Sequence, residues 1–157
     1  MDARDLIGSL ALEPHPEGGW YREIYRSRIH LAGPHGKRSA LTTIYYLLER
    51  GQASRWHVVA SDEIWHFYHG APLELLAYDP DCEVATRQVL DHPTAGREPV
   101  AIIPAGVWQA ARTLGDYSLL GCSVAPGFEF GDFRFVAHVP QHERHFAERL
   151  KDLRDLL

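Results

Sequence analysis

The chain is 157 residues long, carries a net charge of −5, is 45% apolar and has two cysteines. That length supports one domain, residues 1–157, with a core that needs no staple. The negative balance excludes a basic nucleic-acid surface, and two cysteines exclude a disulfide framework and set a reduced, cytoplasmic chain as the expectation. No run reaches the roughly 18 apolar residues of a membrane span, and the opening Met-Asp-Ala-Arg-Asp lacks the apolar stretch of a secretory leader.

Residues 2–11 predict a short amphipathic helix, with Asp2 as N-cap and Leu6, Ile7 and Leu10 at helical spacing. Two prolines and two glycines between Pro14 and Gly19 end it. Residues 20–29 alternate bulky and charged side chains, as a strand does. Tyr21, Glu23 and Tyr25 share one face of it, Trp20, Arg22, Ile24 and Arg26 the other, and either face can be the inner one. A Gly/Pro loop is expected over 31–38, and the β-branched, aromatic run 39–48 reads as a central strand.

Residues 51–70 start and end in glycine and hold two strand-like runs, 55–59 and 63–68, around Ala60-Ser61-Asp62. The expectation is a β-hairpin in which His57 and Val59 face a row made of Glu63, Trp65 and Phe67. Strands follow at 73–79, 82–90, 100–103, 108–113 and 117–125, separated by turn residues. Many short strands at short intervals are the pattern of an all-β barrel or sandwich. The phenylalanine- and glycine-rich stretch 126–135 is expected to be a loop whose rings cross a barrel mouth, meet a partner or fill core. From 140 to 157, Phe146, Leu150, Leu153 and Leu157 mark the stripe of a C-terminal helix.

The 51–70 stretch resembles the first motif of the cupin superfamily, with Gly51, His57, Glu63 and Gly70 at that spacing and Val59 where a second histidine stands. The second cupin motif is echoed by Pro104 and Gly106, with Gln109 in place of the third histidine and Thr113 in place of an asparagine. The whole chain is similar to the branch called cupin-5, or predicted sugar epimerase. The resemblance rests on P-E-G-G-W-Y-R-E (16–23), S-D-E-I-W-H-F-Y (61–68), P-A-G-V-W-Q (104–109) and V-A-P-G-F-E-F-G-D-F (124–133). It implies a double-stranded β-helix, the jelly-roll barrel, that pairs as a homodimer, to which the periodicity at the two ends adds short N-terminal and C-terminal helices.

Three functions follow from these residues. The leading one is a sugar-epimerase-like or isomerase-like activity on a small carbohydrate or nucleotide-sugar, by acid–base chemistry without a cofactor. In it His57 is the base, Glu63 orients it, and Tyr45, or Tyr25 if its strand turns that face inward, is the returning acid. Gln109, Trp65, Phe67 and Arg22 are the candidate ligand-binding residues, the two rings forming an apolar wall. The second is a sugar-binding module without turnover, using the same groups. The third is a metal-dependent enzyme, for which the sequence offers only His57, Glu63 and Gln109 as ligands, where zinc and iron favour imidazole, thiolate and carboxylate.

Overall fold

The structure, a computed structural model, describes residues 2–33, 36–94 and 96–136; the expected C-terminal helix lies outside them. Helix α1 (Ala3–Ser9) opens the chain. Its cap is reciprocal: Asp2 accepts from the Asp5 amide, and the Asp5 carboxylate accepts from the Asp2 amide. Both helix-start donors are thereby satisfied by side chains.

Two antiparallel sheets lie face to face. The larger contains β1 (Glu13–Pro14), β2 (Trp20–Arg26), β5 (Thr42–Glu49), β7 (Asp62–Gly70), β10 (Val100–Ile103) and β12 (Tyr117–Ala125), in the order β1-β2-β5-β12-β7-β10. The smaller contains β6 (Ala53–Val59), β8 (Leu73–Asp79), β9 (Val84–Leu90), β11 (Trp108–Thr113) and β13 (Phe133–Phe135), in the order β13-β6-β11-β8-β9. This is the expected all-β jelly roll.

Three local expectations are corrected. First, the 51–70 stretch is not a hairpin. β6 pairs with β11 and β13, and β7 pairs with β12 and β10. Ala60 and Ser61 carry the chain from one sheet to the other, because both edges of each strand are already occupied by more distant partners. Second, 31–38 is not a plain loop: β3 (His30–Gly33) and β4 (Gly36–Ser39) pair as a hairpin. Third, β2 shifts register against β5 between Glu23 and Tyr25. The extra residue flips the alternation, so Tyr21, Glu23 and Arg26 line the interior cavity while Tyr25 is exposed.

Between the sheets lies one apolar cluster that includes Tyr46, Leu48, Trp65, Phe67, Leu73, Leu75, Leu90 and Leu120. A second, around Trp56, Tyr78 and Trp108, lies on the other face of the five-stranded sheet. The third joins Leu6 and Leu12 to Leu47 and Leu119, seating α1 on the outer face of the six-stranded sheet. Among the described residues no helix is long and apolar enough to cross a membrane.

Candidate functional site

The apolar cluster fills only one end of the roll. At the other end the sheets enclose a cavity of about 150 Å³. Its six-stranded wall supplies Tyr21, Glu23 and Arg26 from β2, Ile44 from β5, Glu63 from β7, and Cys122 and Val124 from β12. Its five-stranded wall supplies His57 and Val59 from β6 and Phe133 from β13. Glu13, His15 and Glu17 enter from β1 and the turn after it, and Phe128, Glu129 and Phe130 from the segment between β12 and β13.

The Pro-Glu-Gly-Gly turn explains how Glu17 reaches the interior. His15 N–H donates to the Gly19 carbonyl, and Gly18 N–H donates to the His15 carbonyl. Gly18 has φ +113°, and a Cβ there would lie 2.2 Å from the Ala53 carbonyl oxygen. Only glycine allows both that backbone angle and that approach. The turn therefore packs flat on β6, where Arg55 N–H donates to the Glu17 carbonyl and Ser54 Oγ donates to Glu17 Oε1 at 3.0 Å.

His57 is 2% exposed and stacks on Phe133, ring centroids 5.0 Å apart. Its Nδ1 lies 2.7 Å from the Arg55 carbonyl oxygen. A carbonyl only accepts, so Nδ1 carries the hydrogen, and the free lone pair of the neutral ring sits on Nε2. That nitrogen faces Glu17 Oε2 at 3.4 Å. A proton arriving at Nε2 thus lands beside a buried carboxylate. His15 has the opposite tautomer: its Nδ1 accepts from the Glu17 amide at 3.2 Å, and burial holds its pKa below the ordinary histidine value.

On the facing wall Glu63 is fixed by a relay. Trp65 Nε1 donates to Gln109 Oε1 at 2.9 Å, and Gln109 Nε2 donates to Glu63 Oε2 at 2.5 Å. An indole can only donate, which sets the amide's orientation and makes Glu63 Oε2 the acceptor. A proton taken up by this carboxyl therefore belongs on Oε1. Burial, reinforced by the negative charge of Glu17, raises the Glu63 pKa to about 7 against the opposing pull of His57, Gln109 and Cys122. Near neutral pH the group divides between acid and carboxylate. Burial also pushes the Cys122 thiol, hydrogen-bonded to Glu63, well above its ordinary value, which leaves it a weak nucleophile.

Three phenyl rings close the mouth at steep mutual angles: Phe128 meets Phe130 at 83° and Phe133 at 72°. Two arginines anchor this segment. Arg26 bonds Glu23, Glu129 and the Phe128 carbonyl, and Arg38 grips Asp132 through two hydrogen bonds of 2.7 and 2.8 Å.

Of the residues singled out from sequence, His57 and Glu63 line the cavity. Gln109 is buried behind Glu63 and holds it. Trp65 and Phe67 share the inward face with Glu63 but lie deeper, in the apolar cluster. Tyr45 and Arg22 are on the opposite face of the six-stranded sheet, where the Arg22 guanidinium lies 5.7 Å from the Tyr45 ring centroid. Sequence reasoning did not single out His15, Glu17 or Tyr21. The signal was the paired glycines behind Glu17, which mark a turn pressed against another backbone.

The cupin metal set does not fit the residues present. Val59 stands where a histidine would, and both ends of the Gln109 amide are committed. Among the described residues, no group of three or more His, Cys, Asp or Glu side chains is placed to hold an ion.

A double-sheet jelly roll enclosing a small cavity is the architecture that cupins share with other jelly rolls. The chain belongs to the Cupin_5 family of the cupin superfamily (DUF985), whose profile matches residues 4–136. It is similar to a protein from Shewanella oneidensis solved by X-ray crystallography, at 35% identity over 94% of each chain with a TM-score of 0.81. A hypothetical protein from Leishmania major is 32% identical over 90% of this chain and 94% of its own, with a TM-score of 0.79. The oxalate decarboxylase of Lactobacillus farciminis, solved as a formate complex, shares the fold at 16% identity over 93% of this chain and 41% of its own, with a TM-score of 0.61. No curated protein matches this chain.

Proposed function

We propose that this cupin is an acid–base isomerase, epimerase-like in chemistry, acting on one small carbohydrate-like ring. The observation that carries the reading is that His57 and Glu63 enter one cavity from facing sheets. Epimerisation beside a carbonyl needs a base on one face of a carbon and an acid on the other. His57 Nε2 takes the carbon-bound proton, the electron pair of that C–H bond passes into the adjacent carbonyl as an enolate, and Glu17 stabilises the imidazolium formed. Glu63 Oε1 returns a proton to the opposite face as the enolate collapses, and exchange with water resets both groups. A cavity of about 150 Å³ holds a single six-membered ring, so any larger appendage projects past Phe128 and Phe130.

The test is deuterium incorporation. Candidate aldoses, ketoses and their uronic or amino forms are incubated with the protein in D2O and followed by NMR. Carbon-bound deuterium should appear in at least one and vanish with His57→Ala or Glu63→Gln. Ligands that raise Tm but take up no deuterium would replace this reading with the binding-module one. The resemblance also implies a homodimer. The outer sheet face beyond α1, where Ile102 is 61% exposed beside Val100 and Tyr68, supports that reading, and sedimentation velocity tests it.

A further inference from the structure

The cavity is strongly unbalanced in charge. Among the described residues, five carboxylates line it (Glu13, Glu17, Glu23, Glu63 and Glu129), against a single guanidinium, Arg26. That guanidinium is not available to a ligand, because Glu23 and Glu129 both bond it. Glu17 and Glu63 are buried at 6% and 7% exposure, and removing carboxylates from water without cationic partners is costly. The nearby imidazoles give only partial relief, since His15 is held neutral by burial and by its accepted hydrogen bond. Aromatic rings make up much of the remaining wall, beside Ile44, Val59 and Val124: Phe128 stands at steep angles to Phe130 and Phe133, and the edge-on pair of Tyr21 and His15 has ring centroids 4.5 Å apart. Ring faces and carboxylates together attract a cation, and repel an anion.

We infer that the ligand of this cavity is a small ring bearing a protonated amine, and that phosphorylated or carboxylated rings are excluded. The inference rests on the reading of the cavity as an acid–base site and adds the charge of its substrate. Seen from Glu63, the neighbours are His57 on β6, Glu17 on the turn after β1, Gln109 on β11 and Cys122 on β12. Of these only His57 can carry positive charge. A bound ammonium supplies the missing cation and favours ionised Glu63, so binding expels a proton near neutral pH; in that complex the exchange runs in its reverse sense, with carboxylate Glu63 as the base and the His57 imidazolium beside Glu17 as the acid.

The probes are cyclohexylamine, cyclohexanol and cyclohexanecarboxylate, three rings of matched size carrying a cation, no charge and an anion. Each is titrated into the full chain and followed by NMR. Cyclohexylammonium should bind at least about tenfold more tightly than the alcohol, and the carboxylate should not bind. Phe128→Leu, which keeps an apolar side chain but removes a π face, should weaken the ammonium by a larger factor than the alcohol, so that the ratio of their affinities falls. The ammonium affinity should climb as pH rises through about 7 and lose that dependence in Glu63→Gln. Equal binding of the alcohol, any preference for the carboxylate, or no binding by all three at tens of millimolar overturns the inference. Cyclohexylamine and cyclohexanol carry no carbonyl and so no hydrogen beside one, and charge selectivity between them is read apart from turnover. Deuterium uptake by a neutral sugar would leave the acid–base reading standing even if selectivity failed.

Discussion

The two ends of the barrel are built from the same strands and differ in kind. Along the inward face of β7 the side chains run Glu63, Trp65, Phe67; along β5 they run Ile44, Tyr46, Leu48; along β12, read backwards, Val124, Cys122, Leu120. The first members line the cavity and the last members lie in the dry cluster. One period-2 stripe therefore serves two purposes, and its polarity changes along the barrel axis rather than between faces. Tyr46 and Trp65 mark the border. Each turns a ring toward the cluster, while the Tyr46 hydroxyl donates to the Gly18 carbonyl and the Trp65 indole to Gln109. This division predicts that substitutions at the closed end cost stability and spare chemistry, whereas those at the open end do the reverse.

The largest effect is expected at the closed end. Leu75 is 1% exposed, and Leu75→Ala should lower unfolding free energy by about 2–5 kcal/mol. Urea denaturation checks it, and the deuterium-uptake rate of the remaining folded protein should be unchanged. A change in that rate would show that the two ends are coupled.

Next comes a pH effect confined to the open end. The folded protein holds the Glu63 proton up to about pH 7, against 4.5 for an ordinary glutamate. Between those values the native state binds more protons than the unfolded chain, so this group's contribution is fully present below 4.5 and is lost as pH rises through 7. The full loss amounts to about 3 kcal/mol. His15, with its lowered pKa, gives a slope of opposite sign below the ordinary histidine value of 6.5. The difference between wild type and Glu63→Gln therefore isolates the Glu63 part.

The relay joins the two ends and should give an intermediate effect. Gln109→Leu leaves the Trp65 indole and Glu63 Oε2 without their partners, at about 1–3 kcal/mol for each buried group. It also removes a hydrogen bond that holds the Glu63 pKa down, so the carboxyl should titrate at a higher pH than in wild type, as followed by carbon-13 NMR of the side chain.

How much of this was legible in the sequence follows from the same geometry. The jelly roll was legible because strand runs and turn residues are local signals, and because the motif spacing at Gly51, His57, Glu63 and Gly70 matched. The alternation that grouped Glu63, Trp65 and Phe67 was also correct. It could not tell how deep along the axis each residue lies, so two core rings read as a ligand wall. Nor could it place β6 and β7 in different sheets, because pairing with β11, β12 and β13 is decided by strands far away in the chain. His15 and Glu17 reach the cavity only through the Gly18 contact with Ala53, which leaves no periodic trace.

The smallest expected effect makes the sharpest distinction. Tyr45 and Tyr21 lie on adjacent strands, one register step apart: Arg22 pairs with Tyr45, and Tyr21 with Tyr46. A single step reverses the face, so Tyr21 reaches the cavity and Tyr45 meets Arg22 and Tyr68 on the outside. The sequence offers Tyr45 as the returning acid, a role for which the phenolic proton must reach the substrate. Tyr45→Phe should shift stability by no more than about 0.5 kcal/mol and leave deuterium uptake as it was. Tyr21→Phe removes a hydroxyl that hydrogen-bonds Glu13 at the cavity wall, and should weaken ligand binding on the order of tenfold. The reverse result, with uptake lost in Tyr45→Phe and binding kept in Tyr21→Phe, would mean that the chemistry occurs outside the barrel, and the facing pair of His57 and Glu63 would lose its role.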